Sequence, residues 1–116
     1  MHDDFNDAFD KIDAAVATMP RIVAGSYAGS GSCGASSPTS LTFDFEPKAV
    51  IIISDYVATF AVFIRPCNLY YSPGADSSTL NVTWTGNTVR WYTTQSYAAG
   101  AQMNNSSSNY FYIAIG

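Results

Sequence analysis

"TLNVTWTGNTVRWYTT", residues 79–94, decides the fold class. Gly86-Asn87 lies between two alternating runs of Thr, Val, Leu and Trp, the signal of a two-residue β-hairpin turn. Such a turn sets Thr85 opposite Thr88, Trp84 opposite Val89 and Val82 opposite Trp91. Leu80, Val82, Trp84, Val89 and Trp91 then share one face, while Asn81, Thr83, Arg90 and Tyr92 share the other. A slip of one residue would mix the two sets, so turn chemistry and pattern agree on one register. The apolar face, with both tryptophans, is expected to be buried. The polar face is expected to meet solvent.

Outward from this hairpin the punctuation stays β-like. "RIVAGSY", "LTFDF", "AVIIIS", "VATFAVFI" and "NYFYIAI" read as further strands separated by turn-rich segments. The expected fold is all-β: a β-sandwich of about seven or eight antiparallel strands over residues 21–116. "NYFYIAIG" is apolar on both faces: Phe111, Ile113 and Ile115 point one way, and Tyr110, Tyr112 and Ala114 the other. Such a strand should be covered on both sides, by a second layer or by a neighbouring subunit. "SYAAGAQM", residues 96–103, is the other helix-like stretch, and Gly100 weakens it.

Residues 1–20 form a different unit, with a helix expected over 3–19. Phe5, Phe9, Ile12, Val16 and Met19 recur at heptad spacing, and Pro20 ends the run. The segment reads either as the end of a coiled-coil stalk or as an amphipathic helix packed on its own domain. The narrow seam favours the stalk, with these five residues joining copies of the chain. About two heptads are too few to hold alone.

Composition narrows the function. Only 12% of the 116 residues are charged, against about a quarter in a typical soluble chain, and 15% are aromatic. The net charge is −4, with Asp3, Asp4, Asp7, Asp10 and Asp13 crowded into the first segment. No basic stripe is present to neutralise phosphates, so nucleic acid is not an expected partner. "YVATFAVFI", the longest apolar run, is too short to span a bilayer, and no membrane insertion is expected. The acidic N-terminus does not read as a signal peptide.

Catalytic constellations are sought and not found. Gly29, Gly31 and Gly34 spell G-x-G-x-x-G, but "ASSPTS" and a strand follow, not the helix a pyrophosphate site requires. A flexible connector between strands is the better reading. His2 is the sole histidine, so a Ser-His-Asp triad and a zinc site are not expected. Asp44 and Glu46, two apart on one strand, read as a solvated edge before Pro47. Cys33 and Cys67 allow one disulfide, and two free thiols are the favoured alternative. No cofactor is expected, and the protein reads as a non-enzyme.

"GSYAGSG", "LTFDFEPKAVIII", "WTGNTVRWY" and the terminal "NYFYIAIG" together resemble the C-terminal tip domain of phage and prophage tail-fibre-like structural proteins of gut Gram-positive bacteria. The resemblance spans residues 22–116. It implies a homotrimeric fibre tip, on the virion, that contacts the bacterial surface. The expected function is therefore adhesion to a cell-surface glycan. The alternatives are a structural trimerisation knob or a carbohydrate-binding module of a secreted bacterial enzyme. Sugar sites use aromatic faces beside short polar groups, which points to Asn81, Arg90, Tyr92, Tyr97, Asn104 and Asn105 as ligand-binding residues. Tyr70 and Tyr71 are further aromatic candidates. Arg90 and Tyr92 lead, because the hairpin register sets them opposite the tryptophan face.

Overall fold

A computed structural model describes residues 7–11, 21–55, 60–72, 78–94 and 99–116. Its strands are β1 (Ile22–Ala28), β2 (Thr39–Thr42), β3 (Ala49–Ser54), β4 (Phe60–Ile64), β5 (Leu69–Ser72), β6 (Ser78–Thr85), β7 (Thr88–Thr93) and β8 (Asn109–Ile115). They form two four-stranded antiparallel sheets, ordered β1-β8-β3-β4 and β2-β7-β6-β5. The sheets pack as a β-sandwich, as the strand pattern predicts.

The hairpin register is the predicted one: Thr85 pairs with Thr88, Trp84 with Val89 and Val82 with Trp91. Gly86 has a φ of 56°, while Asn87 is not left-handed, the pattern of a II′ turn that suits twisted strands. Two expectations shift. "LTFDF" is a strand only to Thr42, and Asp44 and Glu46 lie past its end. "LYYS" forms β5, an edge strand that the sequence reading did not separate from its loop.

The core sits between the sheets. Val50, Ile52, Ala61 and Phe63 come from one, and Leu80, Val82, Val89 and Trp91 from the other. The Phe63 and Trp91 rings meet across the gap at 5.1 Å. Trp84 differs from the expectation. It is half-buried, its Nε1 donates to the Cys67 carbonyl, and the Arg65 guanidinium lies 5.0 Å over its ring. Arg65 also donates to the carbonyls of Pro47 and Gly86 and pairs with Glu46 at 3.2 Å. It thereby ties β4 to the far hairpin turn.

The glycine-rich connector from β1 to β2 is pinned. Gly31 N–H donates to the Asn104 carbonyl, Ser30 N–H to Asn104 Oδ1 and Gly34 N–H to Gln102 Oε1. A Cβ at Gly29 would collide with the Asn105 carbonyl oxygen, so glycine is required there by close approach. This corrects the expectation of a flexible connector. Its partner, residues 101–104, is a buried plug of Ala101, Gln102, Met103 and Asn104, with Met103 in a left-handed conformation at φ 59°. The turn conformation at 99–103 leaves no helix there.

Tyr27 and Tyr110 stack at 5.1 Å beside this plug, and the Tyr27 hydroxyl donates to the Met103 carbonyl. Burial raises the pKa of both phenols, with Tyr110 adding to the rise at Tyr27. A raised folded pKa makes the stabilisation complete below the unfolded value of about 10 and lost as pH climbs through the folded values. The midpoint of urea unfolding is therefore expected to fall as pH rises above about 10. Tyr27→Phe should flatten that fall, at a cost of about 1 kcal/mol at neutral pH for the lost hydrogen bond. An equally steep decline in the variant would assign the alkaline loss elsewhere.

β8 is covered by the second layer on one side only. On the other side the cross-strand rows are Ile22–Ile115–Ala49–Ile64, Ala24–Ile113–Ile51–Val62 and Ser26–Phe111–Ile53–Phe60. None of these residues is charged. Ile22, Ile51, Ile53, Phe60, Ile64, Phe111 and Ile113 are all exposed.

Asp7–Lys11 is helical and exposed, with Phe9 at 51%. Phe5, Ile12, Val16 and Met19 lie outside the described residues, so the seam rests on its spacing alone.

Candidate functional site

The outer face of β2-β7-β6-β5 is built by strand alternation. Because Leu80, Val82, Val89 and Trp91 face the core, their neighbours in the chain face away. Cross-strand pairing then gathers Ser40, Arg90 and Thr83 in one row, Thr42, Thr88 and Thr85 in the next, and Tyr92, Asn81 and Leu69 on the other side. Thr83, Thr85, Thr88 and Arg90 line a shallow depression of about 160 Å³. Thr42 and Thr88 share a hydroxyl–hydroxyl hydrogen bond of 2.9 Å.

Arg90 is the charged member of these rows and is exposed. Among the described residues the one salt bridge is that of Arg65 with Glu46, so no carboxylate pairs with Arg90. Its guanidinium can turn its donors to a ligand oxygen. The threonine hydroxyls both donate and accept. Tyr92, half-buried beside Asn81, offers a ring with a polar end. The set can bind neutral or singly anionic polyhydroxyl groups by hydrogen bonding and stacking. Among the described residues, no group of three His, Cys, Asp or Glu side chains is placed to hold a metal ion.

The structure brings together Asn81, Arg90 and Tyr92 of the predicted site residues. Tyr97 lies outside the described residues. Asn104 is corrected. It is 7% exposed, and its amide nitrogen donates to Ser30 Oγ and the Ser32 carbonyl while its oxygen accepts from Ser30 N–H. Its side chain is used up in holding the connector. Asn105 is half-buried at the same connector, where its N–H donates to the Tyr110 hydroxyl, so it does not belong to the Arg90 face. Tyr70 points inward, 5.4 Å from the Phe63 ring, whereas Tyr71 is 68% exposed on the outer face. The threonines were legible in the hairpin register, but a hydroxyl without an aromatic or charge carried no ligand signal. Tyr70 and Tyr71 were both named from the sequence, but which of the two faces out required β5 to be recognised as a strand.

Cys33 and Cys67 are not joined by a disulfide. Gly29, Gly31 and Gly34 lead into a turn and then β2, without the helix N-terminus of a dinucleotide site. Comparison with protein-family models, curated proteins and solved structures finds no match to this chain.

Proposed function

We propose that this protein is a non-enzymatic adhesion module, the receptor-binding tip of a phage or prophage tail fibre. It acts outside the virion body at the bacterial surface, as a homotrimer recognising cell-surface glycan. The observation that carries the reading is the chemical contrast between the two outer faces of the sandwich. One carries no charge in its three cross-strand rows and is largely aliphatic, suited to assembly. The other gathers threonines, Asn81, Tyr92 and an Arg90 with no carboxylate partner among the described residues, suited to a hydrated polyol. The tail-fibre resemblance of residues 22–116 supports the same assignment.

Stacking and neutral hydrogen bonds make each site weak, and linking several sites on one particle raises retention through effective concentration. Arg90→Ala and Tyr92→Ala are expected to reduce retention on host cells at least tenfold, with little salt dependence because one charge takes part. Cell pull-down with both variants tests this. Unchanged retention removes this face as the site, and release of cleaved sugar by the wild type overturns the non-enzymatic reading. The apolar face alone would also suit a trimerisation knob, for which wild type and variants would all fail to bind cells.

A further inference from the structure

We infer that the outer face of the β1-β8-β3-β4 sheet is the surface on which copies of this chain pack against one another. This deepens the functional reading above by locating the assembly that it requires.

Three observations carry the inference. The first is area. From their fractional exposures, the large aliphatic and aromatic side chains of this face leave on the order of 600 Å² open, at the upper limit for the largest patch on a typical monomer. The small residues and half-buried Val62 and Ile115 add to it. The total approaches the ~800 Å² that each partner contributes to a stable interface.

The second is shape. Ile51, Ile53, Phe111 and Ile113 stand as a ridge on β3 and β8, beside the small Ala24 and Gly25 of β1. The resulting groove has a volume of about 270 Å³. One face thus carries both ridge and groove, and it can seat a copy of itself. Its three cross-strand rows carry no charge, and the Asp55 carboxylate at its end is engaged by Asn109.

The third is continuity along the chain. The heptad-spaced run Phe5, Phe9, Ile12, Val16 and Met19 ends at Pro20, two residues before Ile22 in the chain. Ile22 is the most exposed large side chain of the face, at 69%, and it opens β1. A heptad seam packs against another helix carrying a matching seam. Copies joined there would bring their β1 strands, at the edge of this sheet, near one another.

Sedimentation of the full chain at tens of micromolar tests the inference, with Ile53→Asp, Ile113→Asp and, as a control on the opposite sheet face, Ser40→Asp. Wild type and Ser40→Asp are expected to assemble. Both patch variants should sediment at the 12.5 kDa protomer mass. Self-association should weaken at least 100-fold, with the emission of the buried Trp91 unchanged. If an aspartate disrupts folding, Ile113→Thr keeps the β-branched shape and is read instead. A monomeric wild type overturns the inference, including a monomer whose own residues 1–20 shield the face. Folded patch variants that keep the wild-type mass also overturn it. A dimer dissociated by the same variants supports the interface and overturns the trimer. Assembly through this face without retention on cells supports the interface and removes only the adhesive role.

Discussion

Trp91→Ala is expected to destabilise the protein by about 3–5 kcal/mol, the usual cost of removing a fully buried large aromatic. Trp91 is 0% exposed, contacts Phe63 across the sheets and donates from Nε1 to the Gln102 carbonyl. Removal leaves a cavity between the layers and an unmet buried acceptor. Trp84→Ala should cost less, about 1–3 kcal/mol, because its ring is half in solvent and loses mainly a hydrogen bond and a cation–π contact. Urea melts of both variants, with unchanged slopes, give the comparison. Equal losses would mean that the two ends of the hairpin are equally enclosed, against the packing described above.

The second large effect is expected at Gln102. Its Oε1 accepts from both Gly34 N–H and Thr93 N–H, and its Nε2 donates to the Ser37 carbonyl and Thr39 Oγ1. One buried amide therefore joins the connector, β2 and β7. Gln102→Ala strands two buried N–H groups at about 1–3 kcal/mol each, so a total loss of roughly 2–6 kcal/mol is expected. Water entering the vacated space would bring the loss toward the lower figure. The amides of Gly34 and Thr93 should also exchange with solvent much faster than the β6–β7 ladder amides. Retained protection at both positions would show that Gln102 is not what holds this end closed.

These two sites differ in how far they could be read from the chain. Trp91 was legible as a buried residue, because Gly86-Asn87 fixes the turn and period-2 alternation assigns the faces. Both are local rules acting over a few residues. The same rules placed Asn81, Arg90 and Tyr92 together, and the all-β class followed from repetition of the pattern along residues 21–116. "NYFYIAIG" likewise announced two apolar faces.

Gln102 and Asn104 were not legible in this way. "QMNNSSSN" reads as an exposed polar loop, since isolated amides are usually solvated. They are buried because their partners, Ser30, Ser32, Gly34 and Ser37, arrive from more than sixty residues away. Only the closed sandwich brings those backbone groups within hydrogen-bond reach. The same holds for Trp84, which shares a strand face with Val82 but meets Arg65 at the sandwich end. It holds also for the outer apolar face: each strand carries its own alternation, but one continuous surface exists only once β1, β8, β3 and β4 lie side by side. Short-range periodicity determined the strands and their faces. Long-range closure decided which polar groups are structural and which apolar face is left exposed, because burial depends on neighbours that sequence spacing does not specify.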